Sequence, residues 1–412
     1  MIPIKPVRDT VAPEPVSPAT AALKYLQPGS LNLTVLPPLS LYIHWPWCVR
    51  KCPYCDFNSH ESNGAPPEQD YLDALRLDLE MALPLIWGRK IQTIFIGGGT
   101  PSLMSAAALD RLMSDVRTLL PLALDAEITM EANPGTFEIE KFRAFRASGI
   151  NRLSIGIQSF NGHHLQALGR IHDEREALRA VEIAHTHFDN FNLDLMYALP
   201  GQTLQQAQQD LDTALAFAPP HLSLYHLTME PNTVFAKYPP QLPSDDESAD
   251  IQDMIAARTT AAGYQHYEVS AYAQPGKQAR HNRNYWEFGD YLGIGAGAHS
   301  KLSFPHRVLR QARYKQPASF IEAARRGNAV HEEHEIARED MGFEFMLNTL
   351  RLTDGFAPNL FGERTGMTIN AIDRALDAAE AKGLIYRDFK LIRPTEMGQR
   401  FLNDLQEMFL AE

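Results

Sequence analysis

The stretch Leu41-Tyr-Ile-His44-Trp-Pro46-Trp-Cys48-Val-Arg-Lys-Cys52-Pro-Tyr54-Cys55-Asp-Phe57 carries every cysteine of the chain. It opens as a short apolar run of strand character and passes directly into three cysteines spaced C-x3-C-x2-C, which places them at the carboxyl end of a strand. Three cysteines within eight positions cannot make a disulfide framework for 412 residues. Their spacing suits an iron-sulfur cluster, because cysteine thiolates are its usual ligands and a cubic four-iron cluster held by three of them keeps one iron open. A zinc knot with His44 as fourth ligand is the competing reading. Against it, His44 lies inside the strand and Pro46 restricts the chain before Cys48.

Working outward from Leu39, a short apolar run, a break and a longer amphipathic stretch recur. Candidate strands fall at 40–45, 92–96, 127–131, 152–157, 192–197 and 222–227, with helical spacing at 71–85, 106–120, 138–147, 174–186 and 204–217. Near-continuous apolar strands separated by helices predict a parallel sheet covered by those helices. Six repeats within 39–235 fall short of the roughly 250 residues of a complete eightfold barrel. The fold class expected is therefore α/β, a partial (β/α)6 TIM-type barrel, open on one side.

Four segments are predicted. Residues 1–38 hold eight of the 28 prolines without sustained periodicity and read as a Pro-rich mobile leader. Residues 39–300 form the barrel with its extension, and 301–335 a basic connecting segment in which Lys301, Arg307, Arg310, Arg313 and Lys315 stand with no acid among them up to 315. That run reads as a solvated basic loop, with pairing to the carboxylates of a bound ligand as the alternative. Residues 336–412 alternate helix, helix, hairpin and helix, a small winged-helix-like domain that does not by itself imply nucleic acid. With 38 Lys+Arg against 50 Asp+Glu, the formal charge of -12 has the wrong sign for general binding to nucleic acid or anionic membranes. No apolar run approaches the roughly 18 to 20 residues of a transmembrane helix, and no signal-peptide core is present, so a cytoplasmic location is expected.

The cysteine loop after the first strand resembles that of the radical S-adenosylmethionine (SAM) enzymes, which are partial (β/α)6 barrels. The resemblance implies a [4Fe-4S] cluster on Cys48, Cys52 and Cys55 whose open iron chelates SAM, and an electron donor that reduces it. Potentials down to roughly -700 mV put one-electron cleavage of SAM to a 5'-deoxyadenosyl radical within reach. Gly97-Gly98-Gly99-Thr100 after the second strand, Glu131 ending the third, Gln158 after the fourth, Arg170 beyond it and Asp194 in the fifth narrow the likeness to the coproporphyrinogen III oxidase-like branch. By that resemblance Tyr42, Gly98, Gly99, Thr100, Glu131, Gln158, Arg170 and Asp194 contact SAM, and Tyr54 touches a second SAM. Without it, Arg170 is a surface residue and Asp194 an ordinary buried polar group.

Within the branch, the oxygen-independent oxidase pattern carries a further cysteine two positions after the third cluster ligand, where this chain has Phe57. That difference makes the chain similar to the heme chaperones of the HemW type. His281-Asn-Arg-Asn-Tyr285-Trp286 matches their H-N-x-x-Y-W stretch, implying heme contact through an imidazole and two aromatic faces. Heme and acceptor apo-hemoproteins would then be the partners. A glycine-rich 291–298 superficially fits a dinucleotide fingerprint, but no helix and acidic residue complete one. Three readings stand: a SAM-cluster heme chaperone, a radical decarboxylase of a porphyrinogen, and a zinc-stabilised protein with no redox role.

Overall fold

The computed structural model describes residues 25, 29–62, 64–86, 88–136 and 139–411, so the expected leader lies largely outside the described residues. Strands β1 (Leu39–Trp45), β2 (Ile91–Gly98), β3 (Leu122–Ala132), β4 (Arg152–Gln158), β5 (Phe191–Tyr197) and β6 (His221–His226) pair in sequence order, all parallel. Between them run α1 (Glu68–Ile86), α2 (Ala106–Leu119), α3 (Ile139–Ala147), α4 (Glu174–His187) and α5 (Leu204–Ala216). Asp173 with Glu176, and Thr203 with Gln206, close capping boxes that start α4 and α5 at fixed points. This is the expected β-α alternation.

Along each strand the two faces differ. Leu41, Ile43, Ile94, Ile96, Leu153, Ile155, Leu193 and Leu222 join a core shared with Leu75, Leu109 and Val181 of the covering helices. The alternate positions, among them Glu131, Arg152, Ser154, Asn192, Asp194 and His221, turn to the barrel interior, where Ser154, Asn192, Asp194 and His221 hydrogen-bond to one another. The interior is a polar column, unlike the packed apolar layers of a closed barrel.

The sheet is larger than six strands. Helix α6 (Asp245–Ala261) leads to β7 (Gln265–Glu268) and β8 (Ala271–Ala273), and α7 (Arg280–Trp286) to β9 (Asp290–Ile294), β10 (His299–Phe304), β11 (Arg307–Arg313) and β12 (Val330–Glu335). The order is β12-β11-β10-β9-β1-β2-β3-β4-β5-β6-β8-β7, with β9 parallel to β1 and antiparallel additions at both ends. The edges do not meet, and the barrel stays open.

The segment read as a solvated basic loop is thus a hairpin inside this sheet. Lys301 and Arg313 are each 1% exposed. Lys301 Nζ sits 3.0 Å from Asp290 Oδ1 and over the Phe288 ring, and Arg313 Nε 3.3 Å from Asp78 Oδ1. Buried cations require such partners, and these lie outside the basic run itself. Arg310 is likewise engaged, by Tyr291 and Glu344. Helix α8 (Pro317–Arg325) then packs Phe320 onto Tyr71 of α1 at 5.5 Å between ring centroids.

The C-terminal region comprises α9 (Met341–Thr349), α10 (Asn359–Thr365), α11 (Asp373–Ala381), a hairpin of Ile385–Arg387 with Ile392–Pro394, and the short helices Glu396–Arg400 and Leu402–Glu407. Helix α10 was not expected. Phe345, Phe361, Leu376 and Leu405 form a second core that also takes in Leu31, Leu33, Phe288 and Val308, so this region is welded to the barrel's amino end.

Candidate functional site

The cysteine loop is held from below by aromatic packing. Trp45, Trp47 and Tyr71 meet edge to face at 4.7 to 5.7 Å, and Trp47–Cys48 bridges to His60–Glu61. Above this platform Cys48 is buried, while Cys52 and Cys55 are half-buried at the carboxyl end of β1. Ser59 Oγ lies 3.7 Å from Cys55 Sγ, and Arg170 Nη1 lies 3.7 Å from Cys52 Sγ. His44 is not with them. Its Nε2 donates to the Asn58 carbonyl at 2.9 Å and its Nδ1 accepts from the Tyr42 hydroxyl at 2.7 Å, while burial lowers its pKa to about 4. With both ring nitrogens committed, His44 has no lone pair for zinc.

The glycine turn after β2 clamps the loop. Gly98 has φ +114°, and a Cβ there would stand 2.5 Å from the His44 ring; one on Gly99 would stand 2.5 Å from the Trp47 carbonyl oxygen. The N–H groups of Gly99 and Thr100 donate to the carbonyls of Trp45 and Trp47, and that of Gly98 to Glu131 Oε2. These donors are already used, so the turn's backbone offers a ligand only its carbonyls.

Beside the turn lie two half-buried acids. Burial, aided by the neighbouring Asp194 charge, raises Glu131 to about 8, and burial raises Asp194 against the pull of Ser154 and Asn192. Gln158 at the end of β4 holds φ +67°, a strained conformation for a side-chain-bearing residue of the kind that clusters at functional sites. Arg170 Nη2 donates to the Gly156 carbonyl at 2.7 Å, and its buried Nε has no hydrogen-bond partner among the described residues, nor has Asn133 Oδ1. Both line a narrow cleft with Cys52, Thr100 and Thr136. Tyr54 packs on Phe235 at 6.3 Å between ring centroids, and its hydroxyl interacts with Arg170 of the cleft. Three soft thiols, a half-buried acid pair that forms no salt bridge among the described residues and unpaired polar atoms in the adjoining cleft fit a [4Fe-4S] cluster and the cationic, polar end of SAM. Asn133 was missed from sequence, although a polar residue two positions after Glu131 at a strand's carboxyl end is a legible signal.

The Glu131 shift has a measurable consequence. The folded chain keeps this proton up to about pH 8, whereas the unfolded chain releases it near 4.5, so the group costs stability increasingly as pH rises between those values. Glu131→Gln removes that cost. The thermal midpoint of the ligand-free variant is expected to gain on wild type from pH 5 to pH 8; a constant difference across that range would remove Glu131 as an acid of raised pKa.

The H-N-x-x-Y-W residues lie at the opposite end of the barrel. His281 is 4% exposed, its Nδ1–H donates to Glu127 Oε1 at 2.7 Å, and its ring stacks on Phe95 at 4.6 Å. Burial alone would raise Glu127, but the hydrogen bond and charge of His281 outweigh it and bring it down to about 2. Tyr285 packs against Tyr291, and Trp286 against the Arg351 guanidinium. The expected open axial ligand is instead enclosed in this structure, with its Nδ1–H given to a carboxylate on β3. A buried chain connects the two ends: Asn192 donates to Asp194, His221 donates to Asn192, Tyr267 donates to His221, and the backbone N–H of Ala279, which precedes α7, donates to Tyr267.

Comparison with known proteins agrees with this architecture. Residues 42–214 match the Radical SAM superfamily and 336–401 the HemN C-terminal domain. The chain is 50% identical over 379 residues to the heme chaperone HemW of Escherichia coli (strain K12), covering 92% of this chain and 99% of that protein. It is 48% identical over 383 residues to the heme chaperone HemW of Haemophilus influenzae, covering 92% and 99%. Among solved structures, Escherichia coli coproporphyrinogen III oxidase (HemN), described as a radical SAM enzyme, superposes with a TM-score of 0.78 at 26% identity, covering 91% and 90%. No helix among the described residues is long and apolar enough to cross a membrane. From the three-cysteine loop at the rim of an open parallel barrel to the C-terminal region docked beneath it, the chain belongs to the HemW family within the radical SAM superfamily.

Proposed function

We propose that the protein is a heme chaperone that binds heme and passes it to acceptor apo-hemoproteins, with Cys48, Cys52 and Cys55 holding a [4Fe-4S] cluster and an external electron donor serving it. The observation that carries this reading is the 50% identity to a heme chaperone over almost its whole length, against 26% to the oxidase. Residue 57 adds to it: the oxidase's further thiol is replaced by Phe57, 59% exposed beside the cluster loop. When bound, the cluster and SAM supply one-electron chemistry. The chain's own part is to seat the cysteines on the Trp45–Trp47–Tyr71 platform, to present Arg170 to Cys52 and to offer Glu131 and Asp194 to a cationic ligand.

With reductant and SAM under anaerobic conditions, the protein is expected to bind heme and not to convert coproporphyrinogen III to protoporphyrinogen IX over multiple turnovers. Mass spectrometry of the tetrapyrrole products checks this. Repeated release of decarboxylated product would replace the chaperone reading with the oxidase one.

A further inference from the structure

Helix α7 has two faces of different character. His281 and Tyr285, four apart, turn into the barrel, whereas Arg280, Arg283 and Glu287, at helical spacing on the other side, line a cavity of about 840 Å³. That cavity lies between the amino end of β2 and the C-terminal region, which contributes Arg364 of α10; Val35 and Leu36, ahead of β1, supply an apolar wall. Its size is within the roughly 300 to 1,000 Å³ of small-molecule sites.

The charges inside it are not balanced. Three guanidinium groups and one carboxylate line the walls. Arg280 is paired with Asp125 at 3.2 Å, and Arg283 with Glu287 at 2.7 Å and Asp354 at 2.9 Å. Arg364 differs. Its Nε donates to the Glu287 carbonyl at 3.2 Å, and among the described residues no carboxylate forms an ion pair with it. Burial pushes this guanidinium down despite the more distant charges of Glu287, Glu363 and Asp290, as expected for a half-buried cation without a close counter-ion. Val35, lining the same cavity, is 73% exposed, a large apolar side chain left at its wall. A cation without an ion pair and an apolar wall in one cavity complement an amphiphile with a carboxylate at one edge.

Resting on the heme-chaperone reading, we propose that this cavity is the tetrapyrrole site, in which Arg364 binds a propionate and the apolar macrocycle lies on Val35 and Leu36. The ligand-facing residues of α7 are then Arg280 and Arg283 rather than His281, and the site is at the far end of the barrel from the cysteine loop.

The test uses iron-free protoporphyrin IX and its dimethyl ester, titrated in the same detergent buffer into the full-length protein by fluorescence. Arg364→Ala is expected to bind the diacid about tenfold more weakly and the diester unchanged, since loss of one charge-assisted pair in a partly buried site is worth about that factor. Val35→Asp, at an exposed position, is expected to weaken both ligands. Unchanged affinity of Arg364→Ala for the diacid, or equal loss for both ligands, overturns the assignment. Should Arg364→Ala fail to fold, unchanged binding of both porphyrins by Val35→Asp overturns it instead. Wild type that binds neither porphyrin ends the chaperone reading itself.

Discussion

Changing any one of Cys48, Cys52 or Cys55 to alanine is expected to strip the iron. Anaerobically purified wild type should be brown and carry about four irons and four sulfides per chain, with three thiolates and one open iron. Neither His44 nor Arg170 replaces a lost thiolate: His44 has both nitrogens in hydrogen bonds, and Arg170 beside Cys52 is a cation. The fold should survive, because the platform beneath the loop is made by Trp45, Trp47 and Tyr71 rather than by the thiols. Iron and acid-labile sulfide are therefore expected to fall together while the far-ultraviolet circular dichroism stays as in wild type. Stoichiometric zinc without sulfide in the wild-type preparation would sink the radical SAM assignment.

The six parallel strands and the cysteine loop were legible in sequence because both depend on local patterns. Ile, Leu and Val recur at strand spacing between amphipathic stretches, and three thiols in eight positions admit few explanations. What escaped depends on distant partners. Lys301 and Arg313 read as solvated, since nothing nearby shows that Asp290 and Asp78 wait for them in the folded sheet. Asp78 is 235 positions from Arg313, a distance over which charge patterning carries no information. The same applies to His281: its neighbours Tyr285 and Trp286 suggest a ligand for a flat ring, but Glu127, 154 positions upstream, occupies its Nδ1. Arg364 was likewise invisible, since nothing local shows that no carboxylate among the described residues closes on it as an ion pair.

The buried Glu127–His281 pair gives the other large effect. His281→Ala takes from Glu127, a carboxylate at 6% side-chain exposure, its side-chain hydrogen bond and leaves it the backbone N–H groups of residues 280 and 281 and the charge of Arg152, and losing a hydrogen bond to a buried charged group costs about 1.5 to 3 kcal/mol. The variant is thus expected to unfold at markedly lower denaturant than wild type with no heme present. The pH dependence follows from the directions of the shifts. Burial lowers the His281 pKa, so the unfolded chain takes up this proton below about 6.5 while the folded chain does not, and wild-type stability declines as pH falls through that value. Glu127, held at about 2, adds stability that is present above its ordinary value near 4.5 and is lost only as pH falls from there through 2. His281→Ala lacks the first of these slopes, so its deficit against wild type should shrink between pH 7 and pH 5. Equal unfolding midpoints for the two proteins at pH 7, with a heme spectrum altered only in the variant, would instead return His281 to the role of axial ligand and remove it from the barrel's buried polar column.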